Sequence, residues 1–257
     1  LAESLGVRIG SINPNVFQDR EYWMGSFGNR NPEIRRKAIR HCLDSVEIGK
    51  QLNSSVLSLW FADGTDYPGQ SDIRDRKRWF EESLAEVYAA TPDTMTMLVE
   101  YKPFEPGLYH TDIADWGMSY VLSKKLGERA RVLVDLGHHL PGTNIEHLVA
   151  FLLGEQMLGG FHFNNRRYAD DDLTVGSTNP YELFLIYQEL ARAEEGGAPE
   201  IAYMIDQSAN LKRKIEDMIQ TVMQIQSAYA KALAVDLKRL REAQATSDVI
   251  MAERTLQ

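Results

Sequence analysis

The stretch MLVEYKPFEP, residues 97–106, closes an apolar run with Glu100 and Lys102. Alternation along an extended chain puts residues two apart on one face, so this acid and base point together into whatever the strand encloses. Similar runs recur along the chain: VRIGSI (7–12), SVLSLWF (55–61), TMLVEY (96–101), RVLVDL (131–136), GGFHFN (159–164) and IAYMID (201–206) all have strand character. Between them, residues 32–52, 72–89, 112–126, 144–158, 180–194 and 210–233 carry helical patterns. In the first of these, Ile34, Ala38, Cys42, Val46 and Gly49 form one stripe, with Asn31 as cap and Pro32 at the first helical position. A strand-helix unit of about 30 residues, repeated, is the beat of a parallel (β/α)8 TIM barrel of about 250 residues. Residues 1–234 are expected to form this barrel domain. Residues 235–257, charged and helical beyond the beat, form a C-terminal helical extension suited to packing on another subunit.

Composition sets the outer bounds. The chain has 257 residues, 44% hydrophobic and 25% charged, the balance of a globular protein. Its net charge of -9 speaks against a nucleic-acid partner, because a phosphate-binding surface is normally basic. No apolar run reaches the roughly 20 residues of a membrane helix, so no membrane partner is expected and the expected location is cytoplasmic. Cys42 is the one cysteine. It leaves no intrachain disulfide to form and sits in a helical stripe as a small buried hydrophobe.

Certain polar residues interrupt the apolar strands. Glu100, Asp135, His162 and Asp206 each stand at or near the C-terminal end of successive strand candidates. In a parallel barrel these ends converge on one face, where active sites are built. Alternation turns Phe161 and Phe163 toward the helices and His162 and Asn164 toward the barrel, and Ile205 and Asp206 split the same way. Buried carboxylates are costly unless paired or bound to a cation, so three acids and an imidazole meeting in one place call for a metal. DLGHH (135–139) adds His138, and YADDDL (168–173) adds Asp170 and Asp172. That aspartate pair suits either a solvated capping loop or the oxygen ligands of a second divalent ion.

Taken together, Glu100-x-Lys102, Asp135-x-x-His138, His162, Asp170-x-Asp172 and Asp206 resemble the two-metal aldose-ketose isomerases of the xylose isomerase superfamily, most closely the L-rhamnose isomerases of the broad-specificity bacterial type. The resemblance runs from Trp60 to DQSANLK (206–212). It implies that Glu100, Asp135, His162 and Asp206 hold a structural ion, with Asp135 as a bridge, and that His138, Asp170 and Asp172 hold a catalytic ion. It further implies that Lys102 contacts a substrate oxygen at the reacting end, that Asp206 shares in acid-base work, and that Trp60 walls the sugar. The implied activity interconverts L-rhamnose and L-rhamnulose, and related aldoses, by hydride shift or through an enediol. Two divalent ions per chain are implied, Mn foremost, with Mg, Co or Zn compatible, and so is a homotetramer. The same resemblance makes VRIGSI the third strand and the Asp206 strand the eighth, so two strand-helix units are expected before Leu1.

Two other functions fit part of the pattern. A single-metal ketose 3-epimerase on the same barrel shares the acid, the Asp-x-x-His and the histidine, but has Glu where Asp206 stands and lacks the aspartate pair and the lysine. A non-catalytic, metal-stabilised barrel would close its coordination and keep no ammonium beside it. Outside the motifs, His139 is expected to pack or hydrogen-bond beside the site. His41, His110 and His147 are expected on helix surfaces or caps, Arg166 and Arg167 on the Asp170 loop, and Trp79, Phe80 and Trp116 in the core.

Overall fold

Each of the first five helices begins where a short polar side chain takes over a hydrogen bond that the first turn leaves unmade. Asn31 caps α1 (Pro32–Leu52) and Asp72 caps α2 (Ile73–Ala90). Asp115 caps α3 (Trp116–Leu126), Asn144 caps α4 (Ile145–Gly154) and Asn179 caps α5 (Pro180–Glu195). The third helix therefore starts four residues later than its hydrophobic pattern suggests, because Asp115 accepts from the Met118 amide. Three further helices follow, α6 (Lys214–Leu233), α7 (Leu237–Ala245) and α8 (Val249–Leu256), so the C-terminal extension comprises two short helices. The computed structural model describes residues 1–105, 109–168, 170–197, 200–209 and 211–257. The expected first residue of the sixth helix, 210, lies outside these, as do 106 of MLVEYKPFEP and 169 of YADDDL. Among the described residues no helix is long and apolar enough to cross a membrane.

The strands are β1 (Ser11–Ile12), β2 (Val56–Leu59), β3 (Thr96–Glu100), a small antiparallel hairpin of β4 (Phe104–Glu105) and β5 (Tyr109–His110), then β6 (Ala130–Asp135), β7 (Leu158–Phe163) and β8 (Ala202–Ile205). Six of them make one parallel sheet in the order β1-β2-β3-β6-β7-β8. Chain order and sheet order coincide once the hairpin is set aside, as they must when each strand returns through a helix on the same face. The outer face is apolar throughout: Leu57, Leu59, Met97, Val99, Val132, Val134, Phe161 and Phe163 are fully buried under the helices. Phe163 stacks on Tyr187 of α5 and on Tyr203 of β8. On the inner face Val56, Leu98 and Leu133 form a small apolar floor with Ala202 and Met204. Glu100, Asp135 and His162 follow one pleat further toward the strand ends.

The sheet is an open half-barrel. Among the described residues β1 pairs with β2 alone and β8 with β7 alone. VRIGSI contributes just Ser11 and Ile12 to the ladder. A strand with one neighbour has one source of hydrogen bonds, and Val7 and Ile9 lie exposed beyond it.

Between β6 and β7 the register slips: Val132 pairs with Leu158 but Leu133 with Gly160, leaving Gly159 as the extra residue. A Cβ on Gly159 would lie 2.4 Å from Leu98 Cδ2 and 2.6 Å from Arg131 Cβ. Gly159→Ala is therefore expected to cost about 1–3 kcal/mol by overpacking. Urea unfolding measures it, and an unchanged midpoint would show that the slip is not a packing constraint.

Candidate metal centre

Because β3, β6 and β7 end side by side, Glu100, Asp135 and His162 offer donor atoms that all lie within 4.8 Å of one another, and all three residues are buried. His162 Nδ1 stands 3.2 Å from Glu100 Oε1, 3.7 Å from Asp135 Oδ2 and 3.4 Å from Asp206 Oδ2. Asp206, just past β8, has a side chain 62% exposed and closes the cluster from the rim. Asp135 is held by its other oxygen, Oδ1, which accepts from the Gly137 amide at 2.7 Å and from Asn164 Nδ2 at 2.9 Å. Asn164 Nδ2 also donates to the Asp206 carbonyl, tying the ends of β7 and β8 together. Gly137 is required there, since a Cβ would come 2.9 Å from Asn164 Oδ1 and 3.2 Å from Asp135 Oδ1.

A second group adjoins the first. His138 Nδ1 donates to the Tyr101 carbonyl at 3.0 Å, which turns Nε2 toward Asp170 Oδ1 at 3.0 Å and Asp135 Oδ2 at 4.0 Å. Asp170 and Asp172 both have left-handed backbones, with φ of 56° and 46°, a conformation that Asp accepts more readily than most residues. Their loop is pinned by the paired amides and carbonyls of Asn165 and Leu173, by the Asp170 amide on the Gly137 carbonyl, and by the Ser208 amide on the Asp172 carbonyl. Lys102 Nζ lies 2.5 Å from Asp170 Oδ2, 2.7 Å from Glu105 Oε2 and 5.1 Å from the centre of the Trp60 ring. Phe17 meets that ring edge-on at 4.5 Å.

The electrostatics are those of a donor set for divalent cations. Burial opposes the charged form of Glu100, but His162 and His138 outweigh it and hold the carboxyl down at about 2. Burial and the neighbouring Glu100 push Asp135 up to about 6 against the pull of His138 and His162. Asp172 goes up to about 7, through burial and through the charges of Asp170, Asp135 and Asp206. His162 is raised to about 9 although burial works against it, chiefly by Glu100. Carboxylates crowded until two of them resist ionisation, together with imidazole nitrogens facing the same point, match mixed oxygen and nitrogen ligation of a divalent ion. Glu100, Asp135, His162 and Asp206 fit one such ion. His138 Nε2 and Asp170 Oδ1, 3.0 Å apart, adjoin it.

Every proposed site residue thus lies in this one region, including Trp60. Several further residues support it: sequence reading had placed His139 and Arg166 nearby, but missed the roles of Glu105, Tyr101 and Asp63. Glu105 was in view in MLVEYKPFEP, but its contact with Lys102 needs the hairpin turn. Tyr101 Oη donates to His139 Nε2 at 2.6 Å, and burial drives His139 down to about 3, so it serves as a neutral acceptor beside the site. Arg166 Nε grips the His139 carbonyl at 2.8 Å and so holds the loop after β6. Asp63, pushed up to about 6 by burial and by Asp112, accepts from the Ser26 amide and hydroxyl and from the Gly28 amide, all at 2.7 Å. It fixes the turn at 25–28 against the end of β2. A lone aspartate after WFA carries no signal of that role.

No protein-family model matches the chain. A curated "Probable sugar isomerase" of Rhizobium meliloti is 44% identical over 260 residues, which cover 98% of this chain and 60% of that protein. The chain therefore spans about three fifths of that relative's length. Among solved structures, a D-tagatose 3-epimerase-like protein superposes with a TM-score of 0.67 at 16% identity, over 90% of this chain and 82% of that one. The IOLI protein with a zinc atom gives 0.64 at 12% identity, over 91% and 80%. The arrangement of strands and helices is shared with both of these structures. At these identities the structural likeness carries the fold alone.

A cation that needs the Asp172 carboxylate must displace its proton. Because that carboxyl titrates near 7 rather than in the usual range, affinity for a second Mn2+ should rise by at least about tenfold per pH unit below 7, and should go on rising more gently above it because Asp135, Asp170 and Glu100 hold the His138 proton well above its ordinary range. Calorimetric titration between about pH 5.5 and 8 measures this, with Asp172→Asn expected to abolish the second equivalent. A flat profile in the wild type would contradict the assignment.

Proposed function

We propose that this protein is a metal-dependent aldose-ketose isomerase, interconverting L-rhamnose and L-rhamnulose and related aldoses, as a cytoplasmic homotetramer with two divalent ions per chain, Mn foremost. The observation that carries this reading is the grouping of Lys102, His138 and Asp170 beside the Glu100, Asp135 and His162 cluster. The similarity to a probable sugar isomerase supports it. Substrate, metal and assembly rest on the resemblance of the ligand motifs.

In this reading Glu100, Asp135, His162 and Asp206 hold one cation and His138, Asp170 and Asp172 the other. Bound there, the cations supply positive charge for the oxygens of the two reacting carbons. Lys102, buried and pointing from β3 into the same space, stabilises negative charge as it develops on a substrate oxygen. Asp206 on the rim is placed to take or return a proton. The Trp60 face, backed by Phe17, walls the C–H side of the sugar.

We also propose that two strand-helix units complete this domain, residues 1–234, while residues 235–257 pack as its helical extension. The support is a cavity of about 510 Å3 lined by Gly10 and Ser11 on the β1 side and by Ala202, Tyr203 and Met204 on the β8 side. Both free edges face it, and such edges call for partners. A single-ion ketose 3-epimerase remains the second reading, because the first cluster alone would serve it. Lys102 and the aspartate pair have no task in that chemistry.

The test is a panel of aldoses and ketoses assayed with Mn2+ on the chain together with the units that close its sheet. Ketose formation from aldoses is expected. Lys102→Met should lower kcat by about 100-fold or more with metal content at saturation unchanged, the pattern of an interaction made in the transition state. Inversion at C3 of a ketose without isomerisation would replace this reading by the epimerase one.

A further inference from the structure

Lys102 has two carboxylate partners of different kinds. Asp170 Oδ2 lies 2.5 Å from its Nζ, while Asp170 Oδ1 faces His138 Nε2, so Asp170 is shared between the ammonium and the group proposed to hold the second cation. Glu105 Oε2, at 2.7 Å, has no hydrogen bond or ion pair to a proposed ligand among the described residues. An ammonium and a divalent cation compete for a shared carboxylate. The outcome turns on what else holds the ammonium.

Glu105 is built to hold it. It pairs with Tyr109 in the β4–β5 hairpin, and that hairpin is fastened to the loop after β2 rather than to the Asp170 loop. The Tyr109 hydroxyl donates to the Ala62 carbonyl, the Thr65 amide to the His110 carbonyl, and the His110 amide to Asp66 Oδ1. Gly64 lets the two lie in contact, since a Cβ there would come 2.2 Å from the His110 carbonyl oxygen. Lys102 is anchored to the same side, its amide donating to the Ile113 carbonyl and its carbonyl accepting from Thr111 Oγ1.

The geometry points to Glu105 as a positioning residue: it retains the Lys102 ammonium in place when the second cation takes Asp170, so that the cation and the lysine occupy the site together. This rests on the reading of Asp170 as a ligand of the second cation, and needs no sugar to be tested.

The experiment counts bound Mn2+ on the protein by electron paramagnetic resonance of the free ion and resolves the two dissociation constants. Glu105→Gln should weaken the second equivalent about tenfold and leave the first unchanged, because Lys102 then leans on Asp170 alone. Lys102→Met, which removes the competing ammonium, should tighten the second equivalent. In the Lys102→Met background the Glu105→Gln change should shrink to less than about twofold, a coupling that a double-mutant cycle reads directly. Glu105→Asp should fall between Gln and the wild type. An equal loss in both backgrounds would mean that Glu105 acts on the cation through its charge alone, and overturn the inference. So would no loss in either. A wild-type protein that binds a single Mn2+ would overturn the second-ion reading and this inference with it.

Discussion

Mutual repulsion among carboxylates governs this structure. Glu100 and Asp135 are almost wholly buried, Asp170 and Asp172 partly so, and Asp206 reaches them from the rim. Placing so much negative charge in a poorly solvated space costs several kcal/mol per uncompensated group. His138, His162 and Lys102 offset part of it, yet Asp135 and Asp172 still resist ionisation. A fold that tolerates this arrangement has to supply stability elsewhere and hold the acids where their repulsion is useful.

Both requirements are met by one geometrical fact, the alternation of side chains along parallel strands. Odd-numbered positions of β2 and β3 and their counterparts on β6 and β7 go outward into a continuous apolar layer beneath the helices. The positions between them go inward, giving an apolar floor and then the polar layer. A shift of one residue would send Glu100 in β3 or Asp135 in β6 under a helix, and in β7 would turn Phe161 and Phe163 into the site. Register is thus enforced from the outer face, and the donor set inherits its precision from hydrophobic packing. Gly137, Asn164 and Tyr101 then refine it, each by occupying a backbone or amide hydrogen bond that leaves one particular ligand atom facing the centre.

What was legible in the sequence follows from the same alternation. Glu100, Asp135 and His162 announce themselves because a charged or polar residue at the end of an apolar run has few reasons to be there, and the strand order brings them together. The six strand positions were legible too, although β1 pairs over Ser11 and Ile12 alone. Residues whose role depends on a turn were not legible. Glu105 faces Lys102 through the hairpin, three residues on, a spacing that has no meaning for an extended strand. Asp63 acts through hydrogen bonds from the Ser26 and Gly28 amides, distant in the chain, which leave no trace in residue spacing. The aspartate pair stood between two readings, and spacing could not announce that Asp170 meets His138 with one oxygen and Lys102 with the other.

The proposed function requires two cation positions side by side at the strand ends. Anomalous X-ray diffraction from crystals of the protein grown with Mn2+ tests it most directly. Two peaks are expected, one bounded by Glu100, Asp135, His162 and Asp206, the other by His138, Asp170 and Asp172, with Lys102 still against Glu105. A single peak in the first position, with Asp170 left paired to Lys102, would contradict it.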